Sequence, residues 1–254
     1  MTNEEYVSML QLIIVSGVQM PRRGMLSREL TTCTNWDMKD PVVTIPERKL
    51  NYAFMFAEAL WILRGHSNLS DIAPFCKNYG NYSDDGRHLS GAYGPMYASQ
   101  QRYVVDTLIK DIFTRQAVMT FWRPNPRESS DIPCTISMQF LITSFMKLDI
   151  IVNMRSSDAF MGLPYDVFSF SMMAYHTLLE LRNRGTCLIE LGVLTINSAC
   201  QHIYERDVER CQEVLDSHGN RKYKTLISPS IISPVALEMV LEAYRDNPEA
   251  LWTE

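Results

Sequence analysis

Residues 154–166 read MRSSDAFMGLPYD. Upstream, LDIIVNM (148–154) is β-prone, and downstream the apolar spacing of residues 166–182 is helical. The block therefore carries the chain from the end of a strand, through a Gly-Leu-Pro turn, to the start of a helix. Arg155, Ser156 and Asp158 place a guanidinium fork, a hydroxyl and a carboxylate within four residues. Two readings fit that set: a salt-bridged surface turn, or a clamp in which Arg155 and Ser156 hold one phosphate. Asp166, where the helix begins, fits either a helix N-cap or a group reaching into a site.

Working outward, TISMQFLI (135–142) alternates, with Ile136, Met138, Phe140 and Ile142 on one face, and SFMK joins it to 148–154 as a hairpin. AVMTFW (117–122) and CLIELGVLTINSA (187–199) read as further strands, the second broken or bulged. Helical spacing covers 4–17, 49–64, 69–77, 97–113, 203–215 and 233–245, with Gly65 suited to ending the second helix. Residues 78–95 are rich in Gly, Asn, Asp and Ser and read as loop. Helices at the front and strands in the middle predict an α+β fold, a mixed sheet covered by helices.

A chain of 254 residues fits one large domain or two small ones and can bury a sizeable core; without repeat or linker it reads as a single domain, 1–254. Net charge is −5 and no run of Lys or Arg stands out, which excludes a general nucleic-acid or membrane-surface binder but leaves room for a local basic pocket. The cysteines at 33, 76, 134, 187, 200 and 211 form no C-x-x-C pair and no zinc spacing, so no metal is expected and the thiols read as reduced. No signal peptide or membrane span is evident. The chain is expected to be soluble and cytoplasmic, in a host cytoplasm if phage-encoded.

Four positions carry chemistry. Cys134 follows Pro133 and opens a strand; it is either an inert buried thiol or a nucleophile, with Arg115 and Arg155 as neighbours able to lower its pKa. Glu58 interrupts an otherwise apolar helix, so it lies on a solvent-facing edge or is a working carboxylate. His202 and Tyr204, two apart in an extended segment, face one side as a polar pair or as donors for a sugar hydroxyl.

In this order these features resemble the thymidylate synthase family, in which a Pro-Cys opening a strand is followed by R-S-x-D-x-F-x-G-L-P and later by H-x-Y. Here the matches are PC at 133–134, RSSDAFMGLP at 155–164 and HIY at 202–204. AEALWIL resembles the family's HELLWFL helix and places its catalytic glutamate on Glu58. GAYGPMY resembles the GPVYG loop and places the active-site tyrosine on Tyr93. TRQAVMTFW resembles SRRIIVSAW and puts a phosphate arginine on Arg115, while PRRG resembles the early phosphate loop, with Arg23 the ligand.

The resemblance implies a homodimer with the sheet at its interface, acting on a pyrimidine nucleoside monophosphate with 5,10-methylenetetrahydrofolate. Arg115 would come from the partner subunit; the second arginine of that pair is Gln116 here, so one phosphate contact is lost or moves to Arg23 or Arg123. It implies a Cys134 thiolate adding at carbon 6 so that carbon 5 attacks the one-carbon unit, Glu58 ordering water and moving protons, His202 and Tyr204 holding the sugar, and Asp158, Tyr79 and Gly162 on the folate side. Hydride then gives a methyl group, and water a hydroxymethyl group.

The synthases carry asparagine where this chain has Asp166. Cytosine reverses the donor and acceptor edges of uracil, and a carboxyl sharing one proton matches that reversed pattern. Asp166, with Thr135 after the cysteine, resembles the phage deoxycytidylate hydroxymethylases, which implies formation of 5-hydroxymethyl-dCMP. A dUMP or CMP hydroxymethylase, a pyrimidine methylase and a non-catalytic nucleotide- or RNA-binding relative are the alternatives. Tyr79 in place of the family's tryptophan, and an ending NPEALWTE in place of the synthases' apolar ending, favour water over hydride.

Overall fold

The computed structural model describes residues 2–22, 24–186, 188–217 and 219–253. α1 (Thr2–Ser16) leads into β1 (Val18–Arg22) and the long β2 (Met25–Asp37). α2 (Tyr52–Leu63), α3 (Leu69–Ile72) and α4 (Tyr93–Lys110) follow. Then come β3 (Val118–Thr120), β4 (Thr135–Ile142), β5 (Lys147–Met154) and the short β6 (Ser157–Asp158). α5 (Leu163–Asn183), β7 (Glu190–Tyr204), α6 (Val208–Leu215) and α7 (Pro234–Asp246) complete the chain.

The strands form one seven-stranded sheet in the order β1-β2-β7-β5-β4-β3, with β6 beside β7. β5 and β6 run parallel to β7 and the other pairs are antiparallel, so the sheet is mixed. One face is apolar: Met138, Phe140, Ile150, Val152, Leu194, Ile196 and Trp36 are buried against α1 and α5. α2 packs outside α5, and α7 packs on α2. Phe56 of α2 sits edge-on to Phe168 of α5 at 5.3 Å and stacks with Tyr244 of α7 at 5.4 Å, binding the three helices through one ring.

The other face of the sheet carries mostly polar side chains. Asn197 Nδ2 donates to Asn153 Oδ1 and Asn153 Nδ2 to Ser137 Oγ, each at 3.1 Å, while Thr195 Oγ1 donates to Asn35 Oδ1 at 2.8 Å. Half-buried Leu141 and Ile151 lie among them.

Several boundaries differ from the sequence expectation. The hairpin β1–β2 was not anticipated. α4 begins at Tyr93 rather than 97, so Tyr93 is a helical residue. The expected helix 69–77 is one turn only, followed by a 3-10 turn at Lys77–Tyr82. β7 extends to Tyr204, and the helix expected from 203 begins at Val208. Position 187, where that strand was expected to start, lies outside the described residues.

Candidate active site

Most of the predicted residues converge at one end of the sheet. Cys134 precedes β4 and Arg155 follows β5; these strands are antiparallel neighbours, and the Arg155 backbone N–H donates to Cys134 O at 2.9 Å. The Arg155 side chain returns to the same loop, Nη2 to Ile132 O at 2.8 Å and Nε to Pro133 O at 3.0 Å. Its Nη1 donates to Ser156 Oγ at 3.2 Å, and Ser156 Oγ lies 3.7 Å from Cys134 Sγ as donor. Arg155 makes no salt bridge with a described carboxylate, and two nitrogens of its side chain together with its backbone N–H clamp the cysteine loop. Burial pushes the Cys134 thiol up; the Arg155 charge and the Ser156 hydroxyl pull the other way without reversing it. Arg155 therefore moderates the thiol pKa but does not bring it below its ordinary value.

The helix 52–63 is apolar because it is buried on almost every side, and Glu58 is the exception. Its Oε1 accepts a hydrogen bond from the Tyr79 hydroxyl. Desolvation pushes the Glu58 carboxyl up to about 7, against the opposing Tyr79 hydrogen bond. Glu58 is half-buried, so its carboxyl is partnered by Tyr79 without being sealed from solvent. Tyr79 stands in a cluster of rings, 5.4 Å from Phe54 and 6.4 Å from Trp61.

Asp166 is not the N-cap of α5. That place is taken by Gly162, and the Asp166 N–H already donates to Gly162 O at 3.0 Å inside the first turn. With no capping duty, the carboxyl turns to the site. It makes no side-chain hydrogen bond with a described residue, and desolvation, then the charges of Glu58 and Asp158, push its pKa far above the carboxylate range. Gly162 needs no special backbone angle at φ −99°. A Cβ there would sit 3.5 Å from the Asp158 backbone oxygen and 3.6 Å from Asp166 Oδ2, ordinary contact distances, so Gly162 lies against both residues.

Asp158 Oδ1 accepts the N–H groups of Phe160 and Met161 at 3.0 and 2.8 Å. Asp158 pairs across the sheet with His202, whose ring meets Tyr204 edge-on at 5.1 Å, so the His/Tyr pair does share a face. The Tyr93 hydroxyl accepts from Thr135 Oγ1 at 2.9 Å and Thr135 N at 3.3 Å, fixing the residue after the nucleophile candidate.

Two predicted residues stand apart. Arg115 is exposed ahead of β3 and joins none of these contacts within the chain. Arg23 lies outside the described residues; of its neighbours, Arg22 pairs with Met25 in the β1–β2 ladder and Gly24 has φ +76°. Arg22 is bound to nearly buried Glu29 at 2.9 Å. Sequence reading missed Asp131 of the cysteine loop and the residues that bind this loop from outside, Gly91 and Asp84; an acid three residues before Cys134 was the available signal. An open depression of about 370 Å³ between Asn3, Asp40, Arg221 and Tyr223 contains none of the site residues. Among the described residues no group of three or more His, Cys, Asp or Glu side chains could hold a metal, and no helix is long and apolar enough to cross a membrane.

The thymidylate synthase family model matches residues 4–250. The chain belongs to the thymidylate synthase family. Its α+β fold is that family's fold, and its chemistry is one-carbon transfer from a folate to a pyrimidine nucleotide, for which the family uses methylenetetrahydrofolate. The thymidylate synthase of Enterobacteria phage T4 is 27% identical over 215 residues, covering 76% of this chain and 73% of that protein. The deoxyuridylate hydroxymethyltransferase of Bacillus phage SP01 is 28% identical over 225 residues, covering 80% of this chain and 57% of its own length. That of Pseudomonas phage M6 is 29% identical over 184 residues, covering 68% and 50%.

Proposed function

We propose that this family member is a deoxycytidylate 5-hydroxymethyltransferase, a single domain over residues 1–254 working in the cytoplasm as a homodimer. The observation that carries the reading is Asp166: a carboxyl with no side-chain hydrogen bond to a described residue, whose pKa is pushed upward by desolvation and by the neighbouring acids Glu58 and Asp158, which favours the protonated form. A protonated carboxyl offers one donor and one acceptor. Its O–H suits N3 of cytosine and its carbonyl oxygen accepts from the 4-amino group, whereas uracil presents a donor at N3 and an acceptor at O4. The wrong base leaves buried polar groups unpaired.

Around that base, Cys134 Sγ adds to carbon 6 of the ring, its proton leaving as Arg155 and the substrate's placement favour the thiolate. Glu58, with a pKa near 7, holds or yields a proton at the exocyclic group of the ring through ordered water. Arg155 and Ser156 hold phosphate with Arg23 and the partner's Arg115, and His202 and Tyr204 hold the sugar. Tyr93 orients the cysteine loop through Thr135.

Asp158, Gly162 and Tyr79 would lie along the folate's pterin ring, as the family resemblance implies. When bound, the folate supplies a one-carbon unit. Tyr79 brings a hydroxyl, bonded to Glu58, where the synthases place an indole, and a more polar wall favours water over hydride at the transferred carbon. The polar face of the sheet supports dimerisation, and exposed Arg115, whose backbone oxygen accepts from Gln139 Nε2 at 2.8 Å while its side chain joins none of the site contacts among the described residues, supports its contribution to the neighbouring subunit.

A second reading, a deoxyuridylate hydroxymethyltransferase, is favoured by the names of the two phage relatives. Purified protein incubated with methylenetetrahydrofolate and dCMP, dUMP or CMP separates the readings by product mass. 5-Hydroxymethyl-dCMP is the expected product. Turnover of dUMP alone would establish the second reading, and a methylated product with release of dihydrofolate would exclude hydroxymethyl transfer.

A further inference from the structure

Residues 121–134, between β3 and β4, contain no regular element, yet their last residue is the proposed nucleophile. Arg155 holds this loop from one side. From the other, three contacts tie it to the segment 84–93 ahead of and opening α4. Asp84 accepts Ser129 Oγ at 2.6 Å and Ser130 N at 2.9 Å. Asp131 Oδ2 accepts Gly91 N at 2.6 Å. Tyr93 accepts both donors of Thr135.

The middle contact is the tightest. A Cβ on residue 91 would stand 2.7 Å from Asp131 Oδ1, 2.9 Å from its Cγ and 3.1 Å from its backbone oxygen, so only glycine permits the approach. The Asp131 charge works against the nucleophile. Burial and the nearby Asp84 push the Asp131 carboxyl up, and its negative form, like that of Asp166, disfavours the Cys134 thiolate that Arg155 and Ser156 favour. Tyr93 of α4 is the remaining titratable group facing the thiol. What Asp131 contributes is therefore the hydrogen bond, with its charge a cost.

We propose that Asp131 is a positioning residue: its carboxylate, seated on the Gly91 N–H, fixes the loop of Cys134 against the start of α4 and so aims Sγ. This rests on the reading of Cys134 as nucleophile, in that the aim matters only if that sulfur attacks.

The test compares Asp131→Asn, Asp131→Ala, Gly91→Ala and the double variant Gly91→Ala with Asp131→Ala in the full-length protein. Two readouts are used. One is the pH dependence of iodoacetamide alkylation at Cys134, resolved by peptide mass. The other is kcat and KM with dCMP and with dUMP. Asp131→Asn keeps an acceptor and loses the charge, so the Cys134 profile moves to lower pH while kcat stays within about threefold. Asp131→Ala and Gly91→Ala lower kcat about 10- to 100-fold with little change in KM. The double variant is no worse than Asp131→Ala, because the carboxylate that residue 91 would strike is gone. Unchanged kcat in Asp131→Ala or in Gly91→Ala, or a kcat in Asp131→Asn as low as in Asp131→Ala, overturns the proposal. Full activity in Cys134→Ser would remove the nucleophile and with it the role of Asp131, whereas the alkylation profile reports the Asp131–thiol relation whether or not that sulfur attacks.

Discussion

Glu58 and Asp166 are carboxyls on different helices, each raised by desolvation, and Asp166 is raised further by the charges of Glu58 and Asp158. Their uses differ because their partners differ. Glu58 has Tyr79, whose O–H stabilises the ionised form; Asp166 has no side-chain hydrogen bond to a described residue, which leaves its hydrogen-bonding capacity for a ligand. With the Glu58 carboxyl near 7, a step that needs its proton should give a kcat that falls as pH rises through 7. Tyr79→Phe deletes the hydrogen bond that lowers this pKa, so the falling limb should move to higher pH; a pH–kcat profile of both proteins checks it, and an unmoved limb would show that Glu58 is not the titrating group. The specificity argument at Asp166 needed no structure beyond the sequence, since it follows from one residue type against a recognised block. Its release from capping needed the fold, because only the observed helix start at Leu163 puts Asp166 inside the first turn.

At the scale of elements, α2 is held in place from behind. Arg64 at its end pairs with Glu238 at 3.0 Å and Glu242 at 3.3 Å of α7, and Leu237 and Leu241 of α7 are fully buried. Leu237→Ala should cost about 2–4 kcal/mol in denaturant unfolding, and should loosen the helix that carries Glu58. A loss below about 1 kcal/mol would mean that α7 is not part of the cooperative unit. The helices were legible because their apolar residues recur at helical spacing, as in residues 49–64. β2 was not, because its buried phase is polar: Ser27, Glu29 and Thr32 face inward where the period-2 pattern calls for apolar residues. Its β-branched run Thr31-Thr32-Cys33-Thr34 and the tight turn at Gly24 were the remaining signals. His202 and Tyr204 were read correctly as extended neighbours, although the helix placed after them begins later than expected.

For the whole molecule, two desolvated groups link stability to pH in opposite senses. The His176 ring, desolvated between α4 and α5, is pushed down to about 4 from 6.5, so the unfolded chain binds the extra proton and stability falls as pH drops through 6.5 towards 4. The Glu58 carboxyl is raised from 4.5 to about 7, so stability falls as pH rises through that range. Each is worth up to about 3 kcal/mol, and between about pH 4.5 and 6.5 they nearly cancel. Glu58→Gln removes one of them. It should be more stable than the parent protein at pH 8 by up to about 3 kcal/mol and should lose more stability on acidification to pH 5, as read from urea unfolding at both pH values. Equal stability of the two proteins at pH 8 would leave the Glu58 carboxyl at its ordinary pKa. The proposed dimer has its own test. Inactive Arg115→Ala and inactive Cys134→Ser subunits, mixed and allowed to exchange, assemble one site with both wild-type residues, so activity should return; a mixture that stays inactive would place Arg115 outside the neighbouring site.

The central claim is that the protonated carboxyl of Asp166 selects an amino-bearing pyrimidine. It is tested most directly by the ratio of kcat/KM for dCMP to that for dUMP, measured with both nucleotides in one mixture, for the wild-type protein and for Asp166→Asn. The ratio should favour dCMP in the wild type and shift towards dUMP by about 100-fold or more in the variant. A wild-type preference for dUMP, or a ratio that the substitution leaves unchanged, would contradict it.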